Sequence, residues 1–202
     1  VMRNALNLLV TMSTIVLMFS LVYSEELLST IYPQHKNESL SLFLERIDQS
    51  SVIFRYLMGC FVAMSITYVF GTLLTANGSM RKLNIVAASG MLLNVLLNLI
   101  LIPELESVGS AIASLITQGL TSLAQILIAI KLFRIKLSTR HLLRLFGFIS
   151  GLAFLVIVRP EFFDHWIKNA ISFVAFALFL AFALGLISIS RFVKIMRSSD
   201  EE

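Results

Sequence analysis

The sequence predicts an all-α membrane protein, a six-helix transmembrane bundle, and three observations predict it. Hydrophobic residues fill 57% of the 202 positions against 14% charged, with a mean hydropathy of +0.89, which leaves too little polar surface to coat a water-soluble fold. Six apolar runs, at about 6–23, 52–74, 83–102, 111–130, 141–158 and 170–189, approach the roughly 20 residues a helix needs to cross about 30 Å of hydrocarbon. The basic residues between the runs fall on alternate sides. Eleven of the sixteen, among them Arg81, Lys82, Lys131, Arg134, Lys136, Arg191, Lys194 and Arg197, share the side of both termini, and that bias predicts cytoplasmic ends. The runs leave no room for a separate soluble unit, so residues 1–202 read as one transmembrane domain.

The first run opens almost at Val1, with no initiator Met and no small-residue cleavage site behind it, so a chain excised from a longer protein is expected. The following outer segment, 24–51, is the longest connection. Within it Leu40, Phe43, Leu44 and Ile47 recur at helical spacing, which fits either a short amphipathic helix on the outer leaflet or an extension of the second run. The second run places a small residue at every fourth position, Gly59, Ala63, Thr67 and Gly71, and small faces let helix backbones approach in lipid. It closes at Asn77-Gly78, residues that tolerate the left-handed conformation ending a helix. Pro103 and Pro160 predict stops after the third and fifth runs, because proline has no N–H to continue a helix. Gly147 and Gly151 in the fifth run, with Ala177, Ala181 and Gly185 in the sixth, repeat the small-residue spacing for helix packing.

Polar groups at membrane depth carry free energy unless they face protein or water. Asn94 and Asn98 stand one turn apart on the third run, with Gly90 a turn earlier on that face. Gln118, Ser122 and Gln125 stripe the fourth. Two such stripes predict either a polar cavity or amides bonded to one another across the hairpin. Apart from Arg144 in the first turn of the fifth run, Arg55 is the only Lys or Arg inside a run, near its outer end, placed to meet a phosphate group or to snorkel to headgroups. No carboxylate lies in the core of any run. His35, His141 and His165 sit on mixed sides without metal-ligand spacing, and there is no nucleophile elbow or phosphate loop, so no metal, no cofactor and no enzymatic role is expected. The +4 net charge and pI near 9.5 are accounted for by membrane lipids facing the cytoplasmic segments, without nucleic acid as a partner. Cys60 is the single cysteine, so no intramolecular disulfide is available.

Residues 68–131 carry a further signal: Leu74, Ala76 and Gly78, then Arg81-Lys82, a long run ending N-x-x-L-N-L-I-L-I-P from Asn94 to Pro103, and V-G-S-A-I-A-S from Val108 to Ser114. This stretch, about a third of the chain, resembles the C-terminal region of polysaccharide biosynthesis proteins. These are the O-antigen and capsule flippases of the multidrug/oligosaccharidyl-lipid/polysaccharide exporter superfamily. One departure is Glu104-Leu105-Glu106-Ser107, where members more often carry a lysine and an aromatic. The resemblance implies the C-terminal lobe of a larger two-lobe transporter in a bacterial cytoplasmic membrane, moving an oligosaccharide on a lipid-diphosphate carrier by alternating access against an N-terminal lobe absent from this chain. It implies sugar contacts from Asn94, Asn98, Gln118, Ser122 and Gln125, and a phosphate contact from Arg55. A multidrug or organic-cation antiporter of the same superfamily, and a non-transporting membrane component of glycan assembly, stand as alternatives.

Overall fold

A computed structural model describes residues 2–134, 138–159 and 162–187. They form five helices: α1 (Met2–Ile31), α2 (Leu40–Ala76), α3 (Met80–Phe133), α4 (Thr139–Val158) and α5 (Trp166–Ala183). Among the described residues there is no strand. All five helices are long and apolar enough to cross a membrane, so the chain is an all-helical, multi-pass membrane protein in composition and architecture.

The number of helices corrects the expected six. The third and fourth runs belong to one 54-residue element, α3, which passes through Pro103 and is interrupted only at Glu106 (φ 50°, ψ −127°). Proline leaves just one carbonyl unpaired in what is already the last turn before the interruption, so it does not end the helix where expected. The backbone at Glu106 has the geometry of the first central residue of a type II′ turn, which reverses a chain. Contacts across it establish the reversal. Asn94 Nδ2 lies 3.4 Å from Thr117 Oγ1, and a Cβ built on Gly90 would meet Thr121. In a straight helix those asparagine and threonine positions would stand about 34 Å apart. The two legs, 80–105 and 107–133, therefore run antiparallel, each about 40 Å long.

The outer connection is shorter than the sequence suggests. α1 continues past a kink at Tyr23 (φ −115°, ψ 15°) to Ile31, and α2 begins at Leu40, so only residues 32–39 link them. Of the two readings of Leu40 to Ile47, the extension is the one observed. Ser39 caps that extension by accepting from Leu42 N at 3.3 Å. At its far end α2 stops at Asn77, where Gly78 takes φ 71°. Gly78 N donates to Thr75 O and Ser79 N to Leu74 O, both at 2.9 Å, the paired bonds of a Schellman motif. α5 spans Trp166–Ala183 rather than 170–189. It ends by the same device at Gly185 (φ 65°), with Gly185 N on Phe182 O and Leu186 N on Ala181 O. Lys136, Pro160, Glu161, the end of the sixth run at Ile189, and Arg191, Lys194 and Arg197 lie outside the described residues.

α1 is the hub. It packs on α2, on α4 and on α5, while α3 packs on α2 alone and α4 on α5. Ile15 of α1 sits with Phe148, Leu152, Ala177, Ala181 and Leu186 in one buried cluster, and Val22 and Tyr23 sit with Ala170 and Phe173 in another. On the opposite side Leu6 packs against a cluster that Phe70 and Leu74 of α2 form with Ala129 of α3. Among the described residues neither α2 nor α3 packs on α4 or α5.

The small-residue positions divide by what they touch. A Cβ on Gly59 would lie 2.9 Å from Leu115 Cδ1, and one on Gly71 would lie 3.2 Å from Gln125 Oε1, so this face of α2 meets the second leg of α3. Ala63 is buried between them, and Thr67 carries a buried hydroxyl with no partner among the described residues. Gly151 abuts Leu180, and Ala177 and Ala181 are fully covered. Gly147 has open space beside it, and Gly185 serves a helix end, so neither packs helix on helix as the spacing suggests. The interval identifies a face, but not whether a neighbour reaches it.

Candidate functional site: a groove between three helices and a charged clasp at its outer end

The α1 and α2 helices run antiparallel, so their outer ends meet where the apolar run of α1 gives way to Ser24-Glu25-Glu26. Arg55, one residue from Tyr56 on α2, donates from Nε to Ser24 Oγ at 2.8 Å and from Nη2 to Glu25 Oε1 at 2.9 Å. Ser24 is fully buried, which makes it a fixed anchor for a half-covered guanidinium. The neighbouring carboxylate turns the other way: Glu26 Oε1 accepts from Nη2 of Arg159, at the C-cap of α4. Two adjacent acids on one helix thus tie α1 to α2 and to α4. Glu25, Glu26 and Arg159 are not among the candidate residues that the sequence singles out. Two consecutive acids after an apolar run, with single arginines ending later runs, are the signal that could have found the clasp.

Below Arg55 lies a groove of about 670 Å³ between α1, α2 and the second leg of α3. Leu17 and Leu21 form one wall, Gly59 and Ala63 the floor, and Leu115 the other wall, with Arg55 and Tyr56 at its outer end and Ser122 deeper. Arg55 keeps Nη1 without a partner among the described residues, so the guanidinium can still donate to an acidic oxygen entering the groove.

The expected polar stripes do not line one cavity. Asn98 Nδ2 donates to Asn94 O and Oδ1, both at 2.9 Å, and Asn94 reaches Thr117, so this pair is engaged within the α3 hairpin. The two amides bond one another along a single leg, and across the hairpin Asn94 meets a hydroxyl and not another amide. Ser122 and Gln125 face α2 instead. Ser122 Oγ donates to Gly119 O, and Gln125 is buried beside Gly71 with Oε1 unpartnered among the described residues. Gln118 is half-buried and does not line the groove. Thr117 and Gln118 diverge because successive helical residues point about 100° apart, which splits a stripe between two neighbours.

The connection 32–39 has its own ion pair. Arg46 grips Glu38 with two bonds, Nε to Oε1 and Nη2 to Oε2, each 2.9 Å, and His35 N donates to Glu38 Oε2 at 3.1 Å. The Arg46 hydrogen bond, backed by that of His35, holds the Glu38 carboxyl at a pKa of about 2. A depressed carboxylate pKa contributes stability above its unfolded value, about 4.3, and loses it as pH falls through the folded value. We expect amide protection of residues 35–42 to drop between about pH 4.5 and 2, while Glu38→Gln, which cannot ionise, shows the weakened protection at every pH. Protection that stays flat down to pH 2 in the unsubstituted chain would contradict this.

Among the described residues no group of three His, Cys, Asp or Glu is placed to hold a metal ion. Comparison with protein-family models, with curated proteins and with solved structures finds no match to this chain.

Proposed function

We propose that this chain is one lobe of a membrane transporter that passes a lipid-diphosphate-linked oligosaccharide across a bacterial cytoplasmic membrane by alternating access. The observation that carries the reading is the groove itself. Its walls are apolar enough to lie against a lipid tail, a guanidinium with a free donor edge stands at its outer end to meet phosphate, and a hydroxyl lies deeper in it. The resemblance of residues 68–131 to exporters of lipid-linked glycans supports the same class. With α3 folded back at Glu106, the five helices would supply six crossings, and the excess of basic residues beside both ends then supports cytoplasmic termini. A second lobe facing this one would complete the cavity.

The geometry narrows the residues proposed for cargo. Arg55 takes the phosphate role and Ser122 the nearest polar contact to the sugar, with Gln125 below it. Asn94 and Asn98, bonded within their hairpin, serve as its polar seam. Binding of a polyprenyl diphosphate to the detergent-solubilised chain, measured by native mass spectrometry, tests this. Arg55→Gln is expected to weaken binding about 10- to 100-fold, since a charge-assisted hydrogen bond contributes about 1.5–3 kcal/mol, and Arg55→Lys to restore part of it. In a Cys60→Ser background, a cysteine at Ser122 should react with a water-soluble thiol reagent while one at Asn98 stays protected. Unchanged diphosphate binding in Arg55→Gln would overturn the assignment.

A further inference from the structure

A second cavity lies on the other side of α1, away from the Arg55 groove, and nothing assigned so far uses it. It is an open slot of about 450 Å³ lined by five aromatic rings, Tyr23, Phe162, Phe163, Phe173 and Phe176, together with Arg159. Tyr23 stands edge-on to Phe173 at 6.0 Å, which fixes one wall. An adjoining cavity shares Phe162, Phe163 and Asn169 and is lined by Asp164 and Trp166. Asn169 holds the connecting segment in place. Its Oδ1 accepts from Phe163 N at 2.9 Å, and its Nδ2 donates to Phe163 O at 2.8 Å, so the aromatic rim is built and not a frayed loop.

The charges around this slot are what select an occupant. Arg159 spends Nη2 on Glu26 and has Nε and Nη1 without partners among the described residues, which calls for an acidic oxygen. Asp164 lies at the other edge, and Glu26, paired to Arg159 behind the lining, adds a second carboxylate nearby, so a donor cation is called for as well. One guanidinium against two carboxylates disfavours a purely anionic headgroup. The aromatic walls take a hydrocarbon chain, and an ammonium near their faces gains cation–π attraction.

We propose that the slot between α1, α4 and α5 is a binding site for a zwitterionic phospholipid, with its phosphate on Arg159, its ammonium toward Asp164, and an acyl chain among the phenylalanines. The site lies at the end of the helices where Trp166, the only tryptophan, reports on it directly. The full chain is reconstituted in anionic phosphatidylglycerol vesicles containing a minor fraction of phosphatidylethanolamine brominated near the headgroup end of its chains. Trp166 fluorescence is then quenched by lipid in the slot.

The expected result is quenching about threefold above that lipid's bulk share, the enrichment a preference of about 0.65 kcal/mol produces. Asp164→Asn and Arg159→Gln should each bring quenching back to the bulk share, while diphosphate binding at Arg55 is unaffected in Asp164→Asn. Three outcomes overturn the proposal: quenching equal to the bulk share, equal enrichment of brominated phosphatidylglycerol, or relief of quenching in both variants only when their melting temperatures collapse. A tetraalkylammonium ion that quenches or shifts Trp166 emission while no lipid is enriched would make the slot an organic-cation site instead.

Discussion

Gly109→Ala is expected to destabilise the protein by about 2–3 kcal/mol, the upper part of the range for forcing an extra carbon into a closed contact. The added Cβ would lie 2.4 Å from Leu101 O, 2.7 Å from Leu101 C and 3.1 Å from Ile102 N, all backbone, so no side chain can swing aside. The legs of α3 would have to separate just past their reversal. Gly90→Ala makes the control. Its Cβ would meet Thr121 Cγ2 at 2.5 Å, the end of a side chain that can rotate, so a loss of under about 1.5 kcal/mol is expected. Glu106→Gly should move the other way by about 1 kcal/mol, because a non-glycine residue at φ 50° stores strain that glycine does not. Thermal unfolding in detergent, followed by circular dichroism, ranks the three. A Gly109→Ala protein as stable as the parent would mean that the legs do not close at this glycine.

Phe148→Ala is the second large effect. Phe148 is 1% exposed in the cluster that seats α4 and α5 on Ile15 of α1. In water, removing such a ring costs about 3–5 kcal/mol, part of it transfer free energy. In lipid the surroundings are as apolar as the core, so the transfer part falls away and the packing and cavity part stays. A loss on the order of 2–3 kcal/mol is expected, together with easier proteolysis after residue 134 and little change in the α2–α3 contact, read from protection at Leu74 and Ala129. Phe146→Ala on the exposed face of the same helix should be nearly silent. Equal effects from the two phenylalanines would contradict the assignment of Phe148 to the seat.

Much of the fold can be read from the residues, because length and hydropathy report directly on what a bilayer accepts. The turn at Asn77-Gly78 and the close approach of Gly59 and Gly71 follow from local chemistry that the sequence displays. The reversal at Glu106 does not, since the residue that bends the chain is a glutamate where turn chemistry favours glycine, and Pro103 three positions earlier draws attention to the wrong place. The site was less legible. Arg55 stands out as a lone charge in an apolar run, but its pairing with Ser24 and Glu25 depends on where two helices separated by about thirty residues come to rest. The two stripes, Asn94 with Asn98 and Gln118 with Ser122 and Gln125, look like facing halves of one surface on paper and part in space, because Ser122 and Gln125 turn to α2 while the asparagines stay within the hairpin.

The position of α1 also sets an order of assembly. Of the five helices this one is synthesised before the others, yet the pair that docks on it from the far side, α4 with α5, is made more than a hundred residues later and has no other seat among the described residues. One flank of α1, including Ile15 and Val22, which end up buried against α4 and α5, must therefore wait in the bilayer for late company. A chain severed between residues 134 and 138 should reassemble from two co-expressed pieces, held by α1 rather than by the covalent link.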